Sequence, residues 1–134
     1  MPLNDIRPAL RSFLLADSTL AIAVGGERIF PVVLPQGQRE PSIVYNRISA
    51  IGDHTMQGTS GLARPRFQID AWAATHNAAD ELARLIKEAL DGYSGLMGTV
   101  TVQGAFFDTA RDDYQADINM HRVSQDFLIY FNER

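Results

Sequence analysis

Between Ala63 and Ala73 the chain alternates with a period of two. Arg64, Arg66, Gln68 and Asp70 take one parity, and Pro65, Phe67, Ile69 and Ala71 take the other. That spacing predicts a strand with one buried face. Two β-rich runs precede it, at 28–33 and at 42–49. Residues 34–41, between them, carry Pro35, Gly37 and Pro41 and read as a loop. Residues 51–62 contain Gly52, Gly58 and Gly61; the stretch is too long for a tight turn and reads as a mobile loop. The period lengthens elsewhere. Residues 4–16 put Ile6, Ala9, Leu10, Phe13 and Leu14 on one helical face, with Asn4 or Asp5 as cap and Pro8 tolerable near the first turn. Ser18 is expected to cap a short helix from Thr19 to Val24, ended by Gly25-Gly26. Thr75 should cap the main helix, 76–91, with a buried stripe of Ala79, Leu82, Ala83, Ile86 and Leu90. The rest reads as strands at 98–104, 105–111 and 119–131, with a turn at 112–118. Strands outnumber helices and most connections are short. The expectation is an α+β fold: a mainly antiparallel sheet with one long and one or two shorter helices on one face.

Composition narrows the function more than the fold. The chain has 134 residues, 46% of them apolar, enough for a real core in one domain spanning 1–134. A net charge of −4 argues against a free-standing nucleic-acid binder. With no cysteine, disulfides and thiolate metal sites are excluded. No apolar run approaches the roughly 20 residues of a membrane helix, so no membrane partner is expected. Asp5, Arg7 and Pro8 interrupt the apolar positions a signal peptide would need, which implies folding in the cytoplasm of the producing cell.

Candidate chemistry is sparse. Asp53-His54 could form an acid–base pair, but no nucleophile motif accompanies it, and two solvated loop residues are the favoured reading. His121 could pair with Asp112 or Asp113; a solvent-facing strand-edge histidine is the simpler account, and His76 is expected to be exposed. The three histidines lack metal-ligand spacing. Asp108, Asp112, Asp113 and Asp117 lack the alternating ligands and central glycine of a calcium loop and read as a solvated acidic turn. Gly25-Gly26 precedes a strand rather than opening a helix, so a phosphate cradle has no physical basis there. Trp72 falls on the polar parity. It is either a strand end tucked under the next helix or an aromatic anchor at a subunit contact.

The order of these pieces resembles the tail-completion proteins of long-tailed bacteriophages, also called tail terminators or head–tail joining proteins. The residues that carry the likeness are Arg28-Ile29-Phe30-Pro31, Pro35-Gln36-Gly37 and Pro41 to Ile48, then Arg66 to Trp72 and the helix after it. The resemblance implies a structural protein with no catalytic residues, no metal and no cofactor. It implies a homo-oligomeric ring, a hexamer, at the head-proximal end of the tail. One side of the ring would cap the major tail tube protein and end polymerisation. The other would meet a neck or head-completion protein, and DNA would pass through without sequence-specific binding. The protein would be made in the host bacterial cytoplasm and end in the virion of a phage, a prophage or a gene transfer agent. The alternatives are another neck or head-completion protein, or a small α+β enzyme or ligand-binding domain that gathers Asp53, His54 and His121. The two loops are the expected contact sites, through Gln36, Gln38, Arg39 and Glu40 in one and Asp53, His54, Met56 and Gln57 in the other, together with Trp72.

Overall fold

The computed structural model describes residues 4–49, 52–55 and 58–133, with side chains placed at 4–49 and 62–133. Helix α1 (Ile6–Ala16) opens where the Asp5 carboxylate accepts the Arg7 N–H, and Pro8 lies in its first turn, where no N–H is needed. Asp17 separates α1 from α2 (Ser18–Ala23). Its carboxylate accepts from the Thr19 and Leu20 N–H groups at 3.0 and 3.1 Å. The cap is therefore Asp17 and not Ser18, because a carboxylate takes both orphan N–H groups at once. Gly26 ends this helix with φ 79°, and its N–H returns to the Ala21 carbonyl at 2.7 Å. Helix α3 (His76–Leu90) is capped by Thr75 and buries the predicted stripe of Ala79, Leu82, Ala83, Ile86 and Leu90.

The strands are β1 (Ile29–Pro31), β2 (Ser42–Ser49), β3 (Gly52–Thr55), β4 (Gly58–Ala63), β5 (Arg66–Ala73), β6 (Gly95–Met97), β7 (Val100–Gln115) and β8 (Met120–Asn132). They form one 8-stranded sheet. Among the described residues only the β1–β2 pair is parallel. Strand β8 pairs with β5 and β4 on one side, from Ala73↔His121 to Leu62↔Asn132, and with β7 on the other. Strands β2 and β3 lie antiparallel to β5 and β4, which makes one long hairpin; β7 and β8 make a second. The registers put the β3–β4 end and the β7–β8 turn at opposite ends of the sheet.

Three expectations are corrected. Residues 51–62, read as a loop, contain β3 and β4, with His54 opposite Thr59. Glycine lowers strand propensity but does not forbid extended backbone, and the β2–β5 ladder carries the pairing on. The expected strands 98–104 and 105–111 are one strand, because the irregularity there is absorbed as register shifts at Val102/Gly104 and Phe107/Thr109. The turn expected at 112–118 begins later, since β7 runs to Gln115 opposite Met120.

All three helices lie on one face. Phe67, Ile69, Phe127 and Ile129 from the sheet are fully buried with Leu10, Leu14, Leu20 and Ile86. The other face carries Arg66, Gln68, Asp70 and Trp72 from β5 beside Leu128, Asp126, Ser124 and Arg122 from β8. Leu82→Ala should cost about 2–5 kcal/mol through the cavity it leaves. Asp17→Ala should cost about 1 kcal/mol through the lost cap. Urea midpoints at unchanged slope will show both.

Candidate functional site

The loop after β1 is placed by three local features. Pro31 has no N–H to extend the ladder, and Val32 turns the chain with φ 70°, a left-handed conformation strained for a β-branched residue. The Val32 N–H still donates to the Tyr45 carbonyl at 2.9 Å. Further on, Gly37 takes φ 83° with open space where a Cβ would stand, so conformation and not space demands glycine there. Arg39 then ties the loop down. Its guanidinium donates to the carbonyls of Ile118 and Asn119 at 2.8 and 3.3 Å, across the turn between β7 and β8.

This tether closes a concavity of about 300 Å³ between Leu34–Arg39 and Ile118. A second hollow of about 330 Å³ adjoins it through Leu34 and Ile118 and reaches Trp72, Asp70 and Arg122. The rim is apolar and open: Val32 is 64% exposed, Val33 66% and Ile118 44%. Gln36 and Gln38 flank the first hollow. Of the expected contact residues, the fold thus brings Gln36, Gln38 and Arg39 to the same end of the sheet as Trp72, with Glu40 next along the loop.

Trp72 is buried, but not under α3. It packs on the opposite face with Val44 and Met120, against Phe30 and Leu34. The Arg122 guanidinium lies 5.3 Å from its ring centroid, within cation–π range. Its Nε1 is buried without a hydrogen-bond partner among the described residues. Asp70 is also buried on this face and accepts from Gln68 Nε2 at 2.9 Å. Burial pushes the Asp70 carboxyl above its ordinary 3.8, against the opposing pull of the nearby Ser124 hydroxyl, the Gln68 hydrogen bond and the Arg122 and Arg111 charges.

The acids do not gather in a turn. Asp108 accepts from Arg66 at 2.6 Å and Asp113 from Arg122 at 2.6 Å, while Asp112 contacts His76 Nε2 at 3.0 Å; all three acids lie on β7, and only Asp117 is in the turn. Asp126 sits between Arg66 at 3.2 Å and Arg111 at 3.8 Å. His76 is exposed as expected, and its ring lies 6.0 Å from that of His121. No group of three metal-ligating side chains occurs among the described residues. The Asp53, His54 and His121 constellation is not assembled. His54 lies on β3, past the Leu62↔Asn132 pair, whereas His121 pairs with Ala73 at the other end of β8. That separation is on the order of 35 Å along the strand. Met56 and Gln57 lie outside the described residues. Sequence reasoning passed over Val32, Val33 and Ile118. The signal was the run Val32-Val33-Leu34 between prolines, too apolar for an unpartnered loop.

The described residues thus form a sheet with helices on one face, ion pairs on the other and an apolar hollow at one end. The chain belongs to the family described as Tail completion protein gp17, whose profile matches residues 8–132, and it is thus a structural protein of a phage-type tail, a virion component. Its fold matches a chain in the solved structure titled "Virion of native gene transfer agent (GTA) particle", with TM-score 0.77 and 20% identity over 93% of this chain and 92% of that one. No curated protein sequence matches. No helix among the described residues is long and apolar enough to cross a membrane.

Asp70→Asn gives a pH test of the outer face. A raised folded-state pKa means that ionised Asp70 costs stability, and the cost disappears as the folded state takes up its proton. The variant should melt higher than the parent at pH 7. Its advantage should fade as pH falls through the raised folded value and vanish near the ordinary 3.8. Thermal melts of both proteins across that range check the sign.

Proposed function

We propose that this protein is a ring subunit, six to a ring, that caps the head-proximal end of the tail tube, ends its polymerisation and joins tail to head. The observation that carries this reading is the separation of the two contact segments. The Arg39-tethered loop lies at one end of the sheet and the β3–β4 hairpin at the other. A subunit with a different surface at each end of a stiff sheet suits a part that must meet the major tail tube protein on one side and a neck or head-completion protein on the other. DNA would pass through the ring without sequence-specific contact. The domain would act as one unit across 1–134, without catalysis, metal or cofactor. His54 at one end, and the neighbouring His76 and His121 at the other, then carry no essential chemistry.

The loop end supplies the first docking surface: Val32, Val33 and Ile118 offer apolar area, and Gln36, Gln38 and Glu40 offer hydrogen-bonding groups around it. The Arg39 tether fixes the loop before contact, which lowers the ordering cost of docking. Asp53 and His54 stand on the arm at the other end.

The test compares two exposed positions. Val33→Asp should leave the melting temperature within the small range of surface changes, about 0.5 kcal/mol, and should abolish head–tail joining when it replaces the parent in a particle-complementation assay. Normal joining by the variant would remove this loop from the contact. Ala at His76 or His121 should leave joining intact; complete loss from either, with folding preserved, would favour an enzyme.

A further inference from the structure

We propose that neighbouring copies join edge to edge, the outer edge of β7 over Thr109–Gln115 lying antiparallel along the free edge of β2 in the next copy. This rests on the ring reading above and names the surfaces that would close it.

The first surface is a bare sheet edge. Strand β7 begins with partners on both sides. Up to Phe107 its outer edge is occupied: Gly92 N–H donates to the Ala105 carbonyl, Ala105 N–H to Tyr93, and Phe107 N–H to the Asp91 carboxylate. Past Phe107 no described backbone group pairs with that edge, while the inner edge stays bonded to β8 down to Gln115↔Met120. The Tyr114 N–H, turned outward, reaches only the adjacent Asp113 carboxylate. Residues 108–112 are exposed. Within the stretch Asp113 is paired with Arg122 and Arg111 lies 3.8 Å from Asp126, so the acid left to a neighbouring copy is Asp112, beside His76.

The second surface lies on the opposite edge of the same sheet. Strand β1 covers β2 only as far as Tyr45, where Pro31 and the turned Val32 stop it. From Asn46 to Ser49 the outer edge of β2 has no described strand beside it. There the fold leaves a hollow of about 450 Å³ between this edge and α1. Arg7, Arg11 and Arg47 line it, with Asp5 as the acid, itself held by Arg7 at 3.0 Å. Arg47 is exposed and makes no hydrogen bond or ion pair with a described residue.

The two edges complement each other in three ways. Asp112 on one edge would meet the exposed Arg47 on the other, and like charges opposite each other would instead keep copies apart. Each offers unpaired backbone, the element that strand addition uses. Their directions also match. Strand β2 runs antiparallel to β5, β5 to β8 and β8 to β7, so β7 of one copy meets β2 of an equally oriented copy as an antiparallel neighbour. The free stretch of β2 lies toward the β4 end and that of β7 toward the loop end. Successive copies are therefore staggered along their strands, as a closed sheet with tilted strands requires. Because the contact joins two different patches, repetition by rotation gives a ring and not a two-fold dimer. The competing account is that the acids of β7 only blunt an edge against aggregation.

The chain has no cysteine, so introduced cysteines report contact between copies without background. Arg47→Cys is combined in one chain with Ala110→Cys, Asp112→Cys or Tyr114→Cys, and the full chain is treated with a short bis-maleimide, free and assembled on purified tails. The expected result is a ladder of covalent oligomers in at least one double variant, ending at the ring number, with none of the four single variants cross-linking. Arg47→Asp should weaken assembly, measured by light scattering across concentration, and Asp112→Arg added in the same chain should restore it. Assembly of the parent into a ring, free or on tails, with no cross-link in any double variant would overturn the edge contact and leave the ring reading standing. A cross-linked dimer from a single variant would overturn it in favour of a two-fold contact. A parent that stays monomeric both free and on tails would overturn the ring reading, and this proposal with it.

Discussion

Strand β8 is the constraint on which the rest depends. It is bonded on both sides, to β5 and β4 and to β7, so its register sets that of the two long hairpins. The register is fixed by burial. Val123, Phe127, Ile129 and Phe131 face the helices and are buried, while Arg122 and Asp126 face the other way into ion pairs. A slip of one residue would drive Asp126 into the apolar core and turn Phe127 out. With β8 held, the β7–β8 turn is held too, whereas the β3–β4 end runs on beyond Leu62↔Asn132, the outermost described pair with β8 on that side.

The outer face of the sheet shows how a helix-free face stays ordered. Arg66, Arg111 and Arg122 are interleaved with Asp108, Asp126 and Asp113 across three strands. Exposed pairs of this kind contribute only about 0–1 kcal/mol each, so they do not hold the fold together. Their effect is on position: each pair crosses a strand boundary, those of Arg66 tying β5 to the long β7–β8 hairpin and those of Arg111 and Arg122 tying β7 to β8. That matters at the loop end, where Arg39 anchors to carbonyls of the hairpin turn and Trp72 packs beneath Arg122.

The parts legible in the sequence were those governed by a period. The stripe of α3, the buried row of β8 and the half-buried alternation of β5 follow directly from the spacing of apolar residues. What escaped lacked a period. Gly52, Gly58 and Gly61 hid β3 and β4, because glycine-rich strands give no alternation and draw their pairing from the ladder beside them. The junction at Gly104 looked like a break, because a bulge and a turn use the same residues. The hollow at the loop end was half visible. Its loop was marked by prolines and Gly37, but Ile118 joins it from 79 positions along the chain, through the Arg39 tether. No local pattern can announce a contact of that range.

The same reasoning explains why family order and spacing said more about function than any motif. Catalysis leaves a short constellation of residue types, whereas an assembly surface is made of rims, backbone edges and their relative placement. On the ring reading, the two ends of this sheet also differ in what they ask of a partner. The loop end is fixed in advance by the guanidinium of Arg39. The other end is an arm in which, among the described residues, β3 and most of β4 pair with each other alone, since the described β8–β4 pairs reach no further than Leu62. An isolated two-stranded hairpin is marginal in water, so this arm has the more order to gain when a partner supplies a third strand or an apolar face. A preset surface on one side and an adaptable arm on the other would let a single small subunit dock to one assembly and then register the arrival of the second.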